Sequence, residues 1–278
     1  MEKALQPTRY NDVNEVLRDF VACIQALLGG QENHFYGLYL YGSLALGDFD
    51  PGHSDIDFIV VTTSELSAER IAALREMHAR FANSSSPWAK RIEVAYIPRE
   101  ALNHLAPTEA RYPQLEKGGE LNMDHLEIGW IFQLYTLREY GVSVVGPSLR
   151  ALIAPIDPTA MRRAVIAIPQ MWLDDKEHDP TWLPWLRERE NQAFVVLTLC
   201  RLLYTLGTAD VASKPAAAHW CQQTLGEPWS ALIGDAPTNQ HRSGLISADE
   251  EAATIGLLQY TYERYWLWSS QAGTTRDK

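Results

Sequence analysis

Two strand-like apolar runs joined by a short loop, "LYLYGSLALGDFDPGHSDIDFIVV" at 38–61, leave this chain few folds to choose from. The second run opens with Asp55-Ile56-Asp57. Side chains of a strand alternate between its faces, so Asp55 and Asp57 must point to the same side. Two like charges set side by side in an apolar strand repel each other and lose hydration. Something of opposite charge has to neutralise them.

The flanking pattern supplies the rest of the sheet. Asn11 can cap a helix over 11–28, with Val13, Val16, Leu17, Phe20, Ile24 and Leu27 on one face and Gly29-Gly30 as its stop. "FYGLYLYG" at 35–42 and "DIDFIVV" at 55–61 read as strands, and Ser67 caps a helix ending at 81. "KRIEVAYIP" at 90–98 is a third strand, on which Ile92, Val94 and Tyr96 face away from Glu93. Residues 100–122 read as polar and irregular, followed by a helix over 124–140 and a short strand in "GVSVVGP" at 141–147. The prolines of "IAPIDP" at 153–158 mark a domain boundary. Beyond it the pattern is helical, over 159–173, 188–207, 214–225, 228–234 and 248–270. The expected class is α+β, with a mixed-sheet domain at 1–156 and an all-helical domain at 157–278.

Composition narrows the function. With Lys+Arg 24 against Asp+Glu 35, the formal net charge is −11. That argues against a nucleic-acid partner, whose reader carries a basic stripe, and it suits a cationic small molecule or a site that gathers metal ions. No segment approaches the roughly 20 apolar residues of a membrane span, and "MEKALQPTRYND" lacks a signal core. A cytoplasmic monomer is expected, with no membrane partner. Cys23, Cys200 and Cys221, an odd and widely spaced set, read as reduced core thiols. The aromatic "YTYERYWLW" at 260–268 reads as a packing face of the last helix.

The paired aspartates have a candidate partner in Glu93, whose carboxylate interrupts an apolar strand. Three carboxylates at one sheet edge make a divalent-cation site, and magnesium takes carboxylate, water and phosphate oxygens. Two such ions can hold the attacking and leaving oxygens of an in-line displacement at phosphorus. Gly42-Ser43 fits the same chemistry: glycine lets the backbone approach a polyphosphate, and a serine hydroxyl can hold phosphate oxygens at a helix start. His53 reads as a loop residue, since magnesium disfavours imidazole.

Gly42-Ser43, eleven residues, Asp55-X-Asp57 and an acidic residue on a later strand resemble the signature of polymerase-β-type nucleotidyltransferases. "RIEV", "LREYGVSVVGP" and "VVLTLCRLLYTLGTADVASKPAAAHW" narrow the resemblance to the aminoglycoside (3'')(9) adenylyltransferase family, the streptomycin and spectinomycin modifiers. The resemblance spans 38–220 and implies ATP, magnesium (two ions) and transfer of AMP to a hydroxyl of a cationic drug. It implies that Asp55 and Asp57 hold the metals and that Glu93 takes the proton from the attacking hydroxyl. Glu93 as a third metal ligand stands as the alternative. Arg201 and Lys214 match the arginine and lysine that the family presents to the ATP phosphates.

"MWLDD" puts Trp172 where the family has a tryptophan lining its drug site. The chain then carries an extra stretch, "DKEHDPTWLPWLRERE" at 175–190, across the interval that holds the family's drug-binding acids. Asp174, Asp175, Glu188 and Glu190 are available there, and Glu190 is taken as the substrate residue. Trp182 and Trp185, with Pro180 and Pro184, are expected to pack this insertion against the bundle. Two other readings stand beside this one: adenylylation of a protein or another non-antibiotic acceptor, and a nucleotide-binding module without turnover.

Overall fold

A computed structural model describes residues 6–30, 32–103, 109–116, 119–126 and 128–274. The chain divides into two compact units, one through Pro155 and one from Ile156.

The first unit is a six-stranded mixed sheet with helices. In chain order its elements are α1 (Asn11–Leu28), β1 (Phe35–Leu40), α2 (Gly42–Leu46), β2 (Ile56–Thr62), α3 (Ala68–Ala82), β3 (Ile92–Pro98), β4 (Arg111–Leu115), β5 (Asn122–His125), α4 (Trp130–Glu139) and β6 (Val142–Val145). The sheet order is β5-β4-β3-β2-β1-β6. Only β2 and β3 pair in parallel, because a helix, α3, carries the chain back between them. Alternation along these strands builds the core: Leu38, Leu40, Ile56, Phe58, Val60, Ile92, Val94 and Tyr96 bury one face with Val13, Leu17, Phe20 and Ile24 of α1. The other face carries Tyr39, Ile59 and Ala95, also buried, and, at one end, the charged residues.

Several local expectations change. Tyr10, not Asn11, occupies the position before α1, and no side chain caps that helix. Cys23 lies exposed on α1 and is no core thiol, whereas Cys200 and Cys221 are buried. The stretch expected to be irregular at 100–122 contains β4 and the start of β5, and α4 begins at Trp130 rather than 124. Pro113 lies within β4. Proline donates no ladder hydrogen bond and is confined to sheet margins, which is why it disguises this strand. Of that stretch, 104–108 and 117–118 lie outside the described residues.

The second unit is all helical: α5 (Pro158–Ala164), α6 (Ala167–His178), α7 (Trp182–Leu186), α8 (Arg189–Thr208), α9 (Lys214–Leu225), α10 (Ser230–Asn239) and α11 (Ala248–Thr274). The single helix expected over 159–173 is two, α5 ending before α6 accommodates Pro169 near its own start. Helix α8 is the hub, packed by α9, α10 and α11, and eleven of its residues are buried. The insertion forms α7, on which Trp182 is buried but Trp185 remains 38% exposed. On α11, Trp266 and Leu267 are about half exposed, so its aromatic run is only partly a packing face.

Candidate active site

Strand pairing brings the acidic residues of the first unit to one sheet end. Asp57 is the second residue of β2 and Glu93 the second of β3, and the two are register partners. Parallel neighbours in register project side chains to the same face, so these half-buried carboxylates stand side by side. Antiparallel β1 delivers its C-terminal end to the same place, where Tyr41 donates its backbone N–H to the Asp57 carbonyl at 3.0 Å.

Gly42 follows at once with φ +59°, and an added Cβ there would run into the Asp57 carboxylate. Glycine is therefore required twice, by backbone conformation and by space. Ser43 lies in the first turn of α2, which ends at Gly47 with φ +86°. The loop from 48 to 54 is built as tightly: Asp50 accepts from the Gly52 N–H at 2.8 Å, and its Oδ2 lies 2.9 Å from Nδ1 of His53. His53 is thus a loop-bracing residue.

Asp55 precedes β2, and its Oδ1 lies 3.7 Å from Nε of Arg91. Among the described residues no three His, Cys, Asp or Glu side chains gather as a metal cage. Magnesium does not require one, since it binds through one or two carboxylates and completes its shell with water and phosphate oxygens. The Asp57–Glu93 pair, with the Gly42 backbone directly against the Asp57 carboxylate, fits a cation that arrives with a nucleotide.

In the second unit, Glu188 is the residue before α8, Glu190 lies in its first turn, and Arg201 is eleven residues further on. Lys214 is the first residue of α9, after Ser213, whose Oγ accepts from the Ala216 N–H at 3.3 Å. The acidic start of α8 is anchored by its flanking arginines: Arg187 pairs with Glu251 at 2.6 Å and Arg189 with Glu250 at 2.9 Å, both on α11. Asp174 and Asp175 instead close the end of α6 through their carbonyls, which accept from His178 Nδ1 at 2.8 Å and the Asp179 N–H at 2.7 Å. Trp172 is 7% exposed, with its ring edge against Phe194 at 6.2 Å.

Nothing in the sequence singles out Phe194, which neighbours the predicted site residues Trp172 and Lys214. It is 44% exposed on a helix otherwise dominated by buried positions, touches Trp185 at 6.4 Å, and lies under the Lys214 ammonium at 5.9 Å. Residues 190, 194 and 201 recur at spacings of four and seven, which places them on one face of α8. That spacing was the available signal; nothing in it distinguishes an exposed phenylalanine from a core one.

A nucleotidyltransferase domain model matches residues 31–106, and an aminoglycoside adenylyltransferase C-terminal domain model matches 151–256. The chain thus resembles the aminoglycoside adenylyltransferases in both of its units. It is similar to the aminoglycoside (3'')(9) adenylyltransferase of Shigella flexneri, 26% identical over 236 residues, which cover 81% of this chain and 84% of that protein. It is likewise similar to the spectinomycin 9-adenylyltransferase of Campylobacter jejuni, 25% identical over 232 residues, 80% of this chain and 83% of that protein. Among solved structures, the spectinomycin adenyltransferase from Enterococcus faecialis, crystallised with ATP and spectinomycin, shares the fold. Its TM-score is 0.67 at 18% identity, over 92% of this chain and 98% of that one. The chain is therefore a nucleotidyltransferase of α+β class, with a helical C-terminal domain.

Proposed function

We propose that the enzyme transfers AMP from ATP to a hydroxyl of an aminoglycoside or aminocyclitol antibiotic, of the streptomycin and spectinomycin kind. The observation that carries this reading is the close approach of the Gly42 backbone to the Asp57 carboxylate, beside its register partner Glu93. A polyphosphate needs close backbone approach and an acidic edge at the same point.

In this mechanism Asp55 and Asp57 would hold magnesium, which when bound would lower the charge of the triphosphate and stabilise the leaving oxygen. The Gly42 backbone and the Ser43 hydroxyl bind phosphate oxygens. Arg201 and Lys214 are the cations of the second unit assigned to ATP phosphates. Glu93 accepts the proton of the acceptor hydroxyl as its oxygen bonds to the α-phosphorus. The bond from that phosphorus to the bridging oxygen breaks, and pyrophosphate leaves. Glu190, in the first turn of α8, and the aromatic group of Trp172 and Phe194 receive the cationic acceptor. The net charge of −11 favours the approach of a polycation.

The deciding experiment incubates the protein with ATP, magnesium and each drug, and reads the drug's mass for an added adenylyl group. An adduct on streptomycin or spectinomycin supports the reading. Labelled ATP that marks a protein in a lysate, with every drug unmodified, rejects it in favour of a macromolecular acceptor.

A further inference from the structure

We propose that Arg91 is a positioning residue of the nucleotide site: its guanidinium holds Asp55 and the loop at 50–54 in place before the nucleotide arrives. The inference rests on the reading above, in which Asp55 contacts the metal–nucleotide. Arg91 immediately precedes β3. Its Nη1 donates to the Pro51 carbonyl at 2.9 Å, and its Nη2 donates to the Ser54 carbonyl. Its Nε stands 3.7 Å from Asp55 Oδ1, both side chains being about one-fifth exposed. The guanidinium lies 4.5 Å from the ring centre of Trp88, a residue 2% exposed. Its backbone carbonyl accepts from the Ile56 N–H at 2.9 Å, locking it to the first residue of β2.

These contacts have one physical purpose in common. Asp55 and Asp57 repel, and the loop that ends at Asp55 also sets the distance from α2 to β2. A planar cation with five donors spread over a fork can bond two carbonyls, face a carboxylate and stack on an indole at once. Lysine carries the same charge but has a single ammonium and no plane, so it cannot meet all four partners. Arg91 therefore offsets one aspartate's charge and fixes the base of the loop, while the Asp50–His53 contact fixes its tip.

The test compares Arg91→Lys, Arg91→Gln and Asp55→Asn with the unaltered protein. Amide hydrogen exchange at 50–55 is read without ligand, Mn2+ with a non-hydrolysable ATP analogue is titrated calorimetrically, and KM is measured for nucleotide and acceptor. Arg91→Lys is expected to speed exchange at 50–55 and to weaken nucleotide binding, each by about tenfold or more, with the acceptor KM within about twofold. Combining Arg91→Lys with Asp55→Asn should weaken binding by less than the product of the single effects, since the two act through one contact. Wild-type behaviour of Arg91→Lys, or tighter binding in Arg91→Gln, overturns the proposal, the latter because Arg91 would then only compete with the metal. Should Arg91→Lys melt far below the wild type, the comparison of Asp55→Asn alone and with Arg91→Gln decides. If the unaltered protein binds no Mn2+–nucleotide, the functional reading itself fails, an outcome distinct from the others.

Discussion

Gly42 is the position where the least tolerance is expected. Gly42→Ala forces a Cβ into the Asp57 carboxylate and a left-handed backbone on an L-residue, the latter alone costing about 1–2 kcal/mol. Nucleotide binding should fall by more than tenfold, measured by calorimetry, with the fold retained by circular dichroism. Glu93→Gln is nearly isosteric and, on the proposed reading, removes the proton acceptor while Asp55 and Asp57 are left to hold the metal. Turnover should drop by about two or more orders of magnitude while ATP affinity stays within a few fold. Near-normal turnover would remove Glu93 from the proton-accepting role and leave it as an acid beside the metal.

On the proposed reading, helix α8 would serve nucleotide and acceptor from one face. Arg201→Ala removes charge from a half-buried position without opening the packed face, so it should raise the nucleotide KM while the melting temperature changes little. Phe194→Ala removes an exposed ring and costs little stability. It should raise the acceptor KM and spare nucleotide binding, unless the ring also orients Lys214, in which case both constants rise. Elements were legible in the sequence where periodicity was unbroken: β1, β2, β3, α1, α3 and α8 stand within two residues of the expected bounds. They were illegible where short strands near one sheet edge carry proline and polar residues, as in β4 and the edge strand β5. Their stability comes from neighbouring strands rather than from local propensity. Helix α7 was read as a packing loop because two prolines lie in or beside its five residues.

The first unit buries His78, whose Nε2 meets the Tyr96 hydroxyl at 2.8 Å. Burial lowers its pKa from 6.5 to about 4. The unfolded chain therefore binds a proton that the folded one refuses between those two values. Stability from this group is complete above 6.5, falls as pH drops, and is lost by about 4. The difference corresponds to roughly 3 kcal/mol. Urea melts at pH 7 and pH 4.5 should show this loss, and His78→Phe should flatten the dependence if the ring packs without strain. An unchanged profile in a folded His78→Phe protein would assign the acid sensitivity to other groups.

The order of elements, the Gly-Ser and Asp-X-Asp motifs and the apolar faces were decided by residue chemistry along the chain, because strand and helix periodicities and steric demands on glycine act locally. Which carboxylates become neighbours was decided by strand register: Asp57 meets Glu93 because β2 and β3 pair in parallel, while Asp55, just outside the strand, turns to Arg91. The exposure of Phe194 was likewise a tertiary outcome, since a helical period marks which residues share a face but not which faces are covered.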